Sequence, residues 1–96
     1  MSKLRKSARG RECQVRIPYV CNRNNETVVL AHLGGAGMGI KQPDIFGAWC
    51  CSSCHDAIDG RITAKHHSKN EIKLMHYEGI SRTQQKWLDM GLIEIK

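Results

Sequence analysis

Apolar and polar positions change rhythm several times along this 96-residue chain. "CQVRIPYVC", residues 13–21, alternates and carries Val, Ile and Tyr, which predicts a strand or an irregular extended segment. Pro18 would place it at a sheet edge or in a bend. "NRNN" at 22–25 is a turn signal, because Asn tolerates left-handed backbone and bonds locally. "ETVVLAHL" then predicts a second, β-branched strand ending near His32. "GGAGMGIKQ" follows as a glycine-rich connection. It lacks the Gly-Lys-Ser/Thr ending of a phosphate-cradling loop, so no nucleotide cofactor is expected. "QPDIFGAWCC" is expected to begin a short helix, with Pro43 in its first turn. The next helix is expected from Ser52 or Ser53 to Ile58, with Gly60 in the C-terminal cap.

The last third reads as helical, at about 68–91. Two capping-box patterns, Ser68 with Glu71 and Ser81 with Gln84, predict two successive helices. Ile72, Leu74 and Met75 supply the apolar side of the first, and Trp87, Leu88 and Met90 that of the second, which Gly91 ends. "LIEIK" suits a short closing strand. Neither an internal repeat nor a linker divides the chain. A basic flexible tail, residues 1–11, is therefore expected before a single domain, 12–96, with its core at about 13–61.

Size changes this picture. A chain of this length with five aromatic residues buries a thin core, and such domains need a staple. The five cysteines are the candidates, and their odd number argues against a complete disulfide framework. With no signal peptide and no apolar run of membrane-spanning length, a cytoplasmic setting with reduced thiols is expected, and no membrane partner.

Charge points to the partner. The formal net charge is +6, and Lys3, Arg5, Lys6, Arg9 and Arg11 precede the first acid, Glu12. Such an arm is either solvated or attracts phosphates by counterion release. Lys41, Arg61, Lys65, Lys69 and Lys73 extend the bias into the domain, so DNA is the partner to test.

The chemistry concentrates in "WCCSSCHDAIDG", 49–60. Cys51 and Cys54 form a Cys-x-x-Cys pair, a spacing that lets two thiolates reach one tetrahedral ion. A redox role would want the pair after a strand in a βαβ unit, and "PDIFGAW" does not provide one. Cys13 and Cys21 are the natural second pair for a structural zinc, although their spacing exceeds the usual two to four residues; two core cysteines are the alternative. Cys50 is read as a small core residue. His55 and Asp59 lie four apart, on one helical face, and imidazole with carboxylate suits a divalent cation. An acid at the helix C-terminus is otherwise unfavourable, and a cation would offset that. His66, His67 and His76 read as surface or core residues.

A strand ending in His32, a glycine-rich loop, and Cys-x-x-Cys-His with an acid four residues on resemble the HNH (ββα-metal) endonucleases. The match covers 13–61 through "CQVRIPYVC", "VVLAHL", "GAGMGIKQPD" and "CCSSCHDAIDGR". Over its whole length the chain resembles the small prophage-encoded YbcO-type nucleases, related to the catalytic region of the phage RecA-dependent nuclease. The resemblance implies a small α+β fold, a zinc-stapled ββα-metal core with added C-terminal helices. It implies His32 as general base, His55 and Asp59 as ligands of a catalytic Mg2+ or Mn2+, and Cys13, Cys21, Cys51 and Cys54 around a structural Zn2+. Ala31 stands where many members carry a further ligand. Their middle Asn has no match in register, Asp44 being the nearest polar residue.

The implied activity is metal-dependent hydrolysis of DNA phosphodiester bonds in phage or prophage recombination or processing, with a recombinase filament as possible partner. The competing reading is a zinc-stabilised DNA-binding module without catalysis. A third is a protein-interaction domain whose basic tail docks on an acidic partner.

Overall fold

In a computed structural model of the protein, residues 2–33 and 42–95 are described. Most of the glycine-rich connection, with Lys41, lies outside them. The elements in chain order are α1 (Lys3–Lys6), a 3-10 turn (Asn25–Thr27), β1 (Val29–His32), a 3-10 turn (Asp44–Phe46), β2 (Gly47–Cys50), α2 (Ser52–Asp59) and α3 (Lys69–Met90). The two strands pair antiparallel, Val29 opposite Cys50 and His32 opposite Gly47. The result is a small α+β domain: a two-stranded sheet, a short helix leading directly from it, and a long helix packed across β2.

β1 is the predicted second strand. β2 replaces the helix expected from Pro43. Only Asp44–Phe46 turns helically there, and the chain then extends because all four β2 residues are buried between β1 and α3. Gly47 is required at this crossing: a Cβ would come within 2.6 Å of the Leu30 side chain.

α2 follows its prediction, with Gly60 left-handed at φ 78° and its N–H bonded to the Asp56 and Ala57 carbonyls. α3 departs from its prediction by being one unbroken helix of 22 residues. Ser68 and Glu71 form a reciprocal capping box at its start, and the Ser68 amide holds the exposed Glu71 carboxyl below its usual range. Ser81 lies within the helix. The tertiary reason is a continuous buried face of His76, Gly79, Ile80, Thr83 and Trp87, spaced at helical period so that no break is tolerated. Thr83 fixes this face to the sheet: its hydroxyl accepts from the Trp49 amide at 3.0 Å and donates to the Gly79 carbonyl at 2.8 Å. Gly79 lets α3 approach the chain at Val15, whose Cγ2 would sit 2.8 Å from an added Cβ. Leu74, read as apolar face, is instead 59% exposed. "LIEIK" forms no strand among the described residues; Leu92 N–H bonds the Trp87 carbonyl, closing the helix end.

The stretch 13–21 is not a strand either. Turns with positive φ at Arg16 (52°) and Tyr19 (67°) fold it back on itself, and the Val20 and Cys21 amides both bond the Ile17 carbonyl. An extended segment of nine residues would hold its two cysteines about 26 Å apart; bending brings both thiols to one point.

The basic segment 2–11, expected as a flexible tail, packs onto the domain. Ala8 is buried. The Ser7 hydroxyl accepts from both buried indoles, Trp49 Nε1 at 3.2 Å and Trp87 Nε1 at 2.8 Å, and donates to the Leu4 carbonyl. One small residue thus satisfies two buried N–H groups on opposite layers.

Candidate functional site

Two candidate sites lie on either side of α2. At its N-terminus, the Sγ atoms of Cys13, Cys21, Cys51 and Cys54 all lie within 4.8 Å of one another. Cys51 and Cys21 are 3.8 Å apart, and a tetrahedral ion with bonds of about 2.3 Å requires a sulfur separation of about 3.8 Å. Backbone amides point at the sulfurs: Arg16 N–H at Cys13 and Cys54 N–H at Cys51, both at 3.4 Å. Burial pushes the Cys21 thiol up to about 11, and contact with Cys13 pushes Cys54 up. A dication among them reverses this, because a coordinating thiol is deprotonated outright. The chemistry and spacing of the donors therefore fit a structural metal ion such as zinc. Cys50 stays outside the group, fully buried, with its thiol on the Cys51 carbonyl.

At the other end of α2 is a cavity of about 490 Å³ lined by residues of β1, α2 and α3, among them His32, Asp59, Lys69, Asn70, Lys73 and His76. His32, at the end of β1, has Nε2 2.6 Å from Asp44 Oδ1. The contact with His32 first, then the Ser2 hydroxyl, holds Asp44 below the usual carboxylate range. Arg5 adds an ion pair at 3.6 Å. An ionised Asp44 accepts, so Nε2 carries the proton and Nδ1 is left as the basic nitrogen. On α2, His55 Nδ1 and Asp59 Oδ2 lie 3.1 Å apart, as the four-residue spacing requires. Among the described residues these two do not converge with a third metal-binding side chain; the cysteines are the one set of three or more that does.

Sequence reasoning reached His32, His55, Asp59 and the four cysteines, and the fold gathers them into these two clusters. Two further residues come from tertiary structure. Asp44 is out of register in the sequence, yet the turn before β2 lays it against His32. His76, read as surface or core, is 3% exposed and lines the cavity, its Nε2 2.9 Å from the Ala31 carbonyl. Its place on the buried face of α3 was readable from helical spacing; the cavity it faces was not.

The basic residues divide. Lys3, Lys6 and Arg9 are exposed. Arg5 pairs with Asp44, and Arg11 lies 5.6 Å over the Trp49 ring. Arg61 faces Asp56 and Asp59, each at 3.7 Å. Among the described residues no helix is long and apolar enough to cross a membrane.

The family model described as "Putative nuclease YbcO" matches residues 2–92. Two curated relatives, "Putative nuclease YbcO" of Escherichia coli (strain K12) and "Putative nuclease ybcO" of Enterobacteria phage 82, are each 50% identical over 97 residues, covering 98% of this chain and 99% of the relative. A solved structure titled "Structure of a putative bacteriophage protein from Escherichia coli str. K-12 substr. MG1655" superposes with a TM-score of 0.79 at 48% identity, over 93% of this chain and all of that one. With nearly its whole length matched by both the family model and relatives of half-identical sequence, the chain belongs to the family described as "Putative nuclease YbcO".

Proposed function

We propose that this protein is a metal-dependent DNA endonuclease of HNH type, acting in phage or prophage DNA recombination or processing. The observation that carries the reading is the His32–Asp44 pair beside a cavity that also holds Asp59 and two lysines. Hydrolysis of a phosphodiester needs a base for the attacking water, a counter-charge for the phosphoryl oxygens, and a hold on the flanking strand. His32 takes the water's proton on Nδ1, since Nε2–H is engaged by Asp44. Asp44 keeps the ring in that tautomer and stabilises it once protonated. Its ties to Ser2 and Arg5 connect the N-terminal segment to the base.

His55 and Asp59 would hold a divalent ion such as Mg2+ or Mn2+. Such an ion, when bound, would supply Lewis-acid polarisation of a phosphoryl oxygen and charge neutralisation. Lys69 and Lys73, on the first turns of α3, offer positive charge in the cavity wall, and Lys3, Lys6 and Arg9 add exposed charge on the N-terminal segment. Such contacts position a backbone without reading its sequence. The four-cysteine site would hold Zn2+ structurally and so fix α2, the element that carries both proposed ligands.

The test is cleavage of single- and double-stranded DNA by zinc-loaded protein given Mg2+ or Mn2+, with and without a recombinase filament. Ion-dependent nicking that is lost in His32→Ala is the expected result. No cleavage by the wild-type protein under any of these conditions overturns the reading, leaving a zinc-stabilised DNA-binding module.

A further inference from the structure

Among the described residues, three other than glycine have positive φ: Arg16 at 52°, Tyr19 at 67° and Arg23 at 55°. For side chains of this size the left-handed region is strained, and such strain gathers at functional places. All three residues line one cavity of about 450 Å³, which Cys13 and Cys21 of the four-cysteine site also border. Folding the segment back to bring its two cysteines together accounts for turns at 16 and 19. It does not account for the residues that make them, because Gly or Asn adopts the left-handed region more readily. Asn22 and Asn24 flank Arg23, yet the arginine takes the left-handed conformation.

The side chains at these turns are held in place while open to solvent. Tyr19 is 84% exposed, and its ring lies 4.3 Å from that of His66, tilted by 33°. His67 has Nε2 3.0 Å from the Pro18 carbonyl oxygen. Two successive histidines with no part in the hydrolysis thus hold Tyr19 and the residue before it. Arg16 is pinned as well: its Nε donates to the Cys13 carbonyl at 3.0 Å and its Nη2 to Gln14 Oε1 at 3.4 Å. Glu12, the acid among the lining residues, stands 3.9 Å from Arg16. Both side chains of that pair are exposed, so it is weak enough for a phosphate to displace. Arg23 is exposed too. Single-stranded nucleic acids bind to such an arrangement, their bases stacking on the aromatic ring and their phosphates meeting the guanidinium groups. A duplex keeps its bases stacked on one another and offers the ring no free face.

We propose that Tyr19, flanked by Arg16 and Arg23, is a stacking site for an unpaired base of single-stranded DNA. It lies at the four-cysteine end of α2, one length of that eight-residue helix, roughly 12 Å, from the end that carries the His32 cavity. The proposal rests on the nuclease reading for its partner, DNA, and uses none of the residues assigned to hydrolysis. It names the form of the substrate: a strand with an unpaired nucleotide near the point of cleavage.

The full zinc-loaded chain is titrated into a fluorescently labelled oligothymidylate and into a duplex of equal length, and anisotropy is read at several salt concentrations. Wild type should bind the single strand more tightly than the duplex. Tyr19→Ala should weaken single-strand binding by about 5- to 150-fold, the effect of losing one base stacked on an aromatic ring, with salt slope, zinc content and melting temperature unchanged. Tyr19→Phe keeps the ring and should bind as wild type does. Arg23→Ala should instead flatten the salt slope by about 0.7, one phosphate contact on a single strand. With wild-type protein, an oligonucleotide carrying iododeoxyuridine should photocross-link at Tyr19, as located by mass spectrometry of the peptides.

Unchanged single-strand affinity in Tyr19→Ala overturns the proposal, as does an equal loss on single strand and duplex. So does wild-type protein that fails to bind oligothymidylate. Cross-linking that spares Tyr19 overturns it as well, a measurement that decides the matter even if the variant does not fold. Wild-type protein that stacks a base on Tyr19 but cleaves no DNA sustains this site and sinks the nuclease reading. A nuclease whose Tyr19→Ala variant binds single strands and cuts unchanged does the reverse, so the two fail separately.

Discussion

The two ends of α2 are built on different plans. At the N-terminal end, four sulfurs already lie within 4.8 Å of one another, three of them on buried residues, with backbone amides aimed at two. At the C-terminal end, the donors stand apart and occupy one another: His55 with Asp59, His32 with Asp44, His76 with the Ala31 carbonyl. The cysteine end gathers soft, like ligands whose only common partner is an ion, so its geometry is closed. The histidine end keeps a cavity of about 490 Å³ beside its polar groups, the room that the proposed hydrolysis needs for a phosphate and a water. A structural metal site has its coordination completed by protein, while a reactive one keeps positions open.

The largest effect should come from opening the closed end. Chelation of the zinc, or Cys54→Ser, should abolish cooperative thermal unfolding, since structural zinc contributes about 10 to 16 kcal/mol that is folding free energy. Cys50→Ser should retain the metal. Metal-free protein that melts as the loaded protein does would erase the contrast between the ends.

Next is the reverse experiment at the open end. His32→Ala should leave the zinc content, melting temperature and DNA affinity in place while cleavage falls by about 10² to 10⁴, the range for losing a general base. Because the missing group is a proton acceptor, added Mg2+ or Mn2+ should not restore it. Recovery of activity at high ion concentration would reassign His32 to the metal.

The joint between the ends is tested by Ser7→Ala. Removing the hydroxyl leaves the buried N–H groups of Trp49 and Trp87 without their acceptor, a loss of about 2 to 6 kcal/mol at 1 to 3 per orphaned group. Urea denaturation of the zinc-loaded protein measures it. A change within error would mean the segment 2–11 is dispensable to the core, and truncating it would then alter only the salt dependence of DNA binding.

The smallest effect should be local to the cavity. Ser68→Ala removes the capping box of α3 and should cost about 1 kcal/mol. It frays the turn that carries Lys69, Asn70, Ile72 and Lys73 into the cavity wall. Hydrogen exchange should rise in that turn and remain unchanged around the cysteines. Equal loosening at both ends would show them to be one cooperative unit.

How much of this was legible follows from how far each determinant reaches along the chain. Short-range signals were dependable: the β-branched run of β1, the Cys-x-x-Cys spacing, Gly60 closing α2, the Ser68–Glu71 box, and the four-residue step from His55 to Asp59. Each is set by backbone sterics or helical period within one or two turns, so the sequence by itself determined those elements and the candidate side chains they carry. Long-range contact decided the rest. The Ser81–Gln84 match failed as a helix start because α3 presents one unbroken face to β2. "GAWC" became a strand because β1 and α3 bury it from both sides, and "CQVRIPYVC" folded back so that two distant thiols could meet. Ser7 was read within a tail because nothing near it in sequence reveals the two indoles it joins. Asp44 met His32, and His76 took its place in the cavity wall, for the same reason: their partners, His32 and the Ala31 carbonyl, lie 12 and 45 residues away, a distance that only the tertiary fold closes.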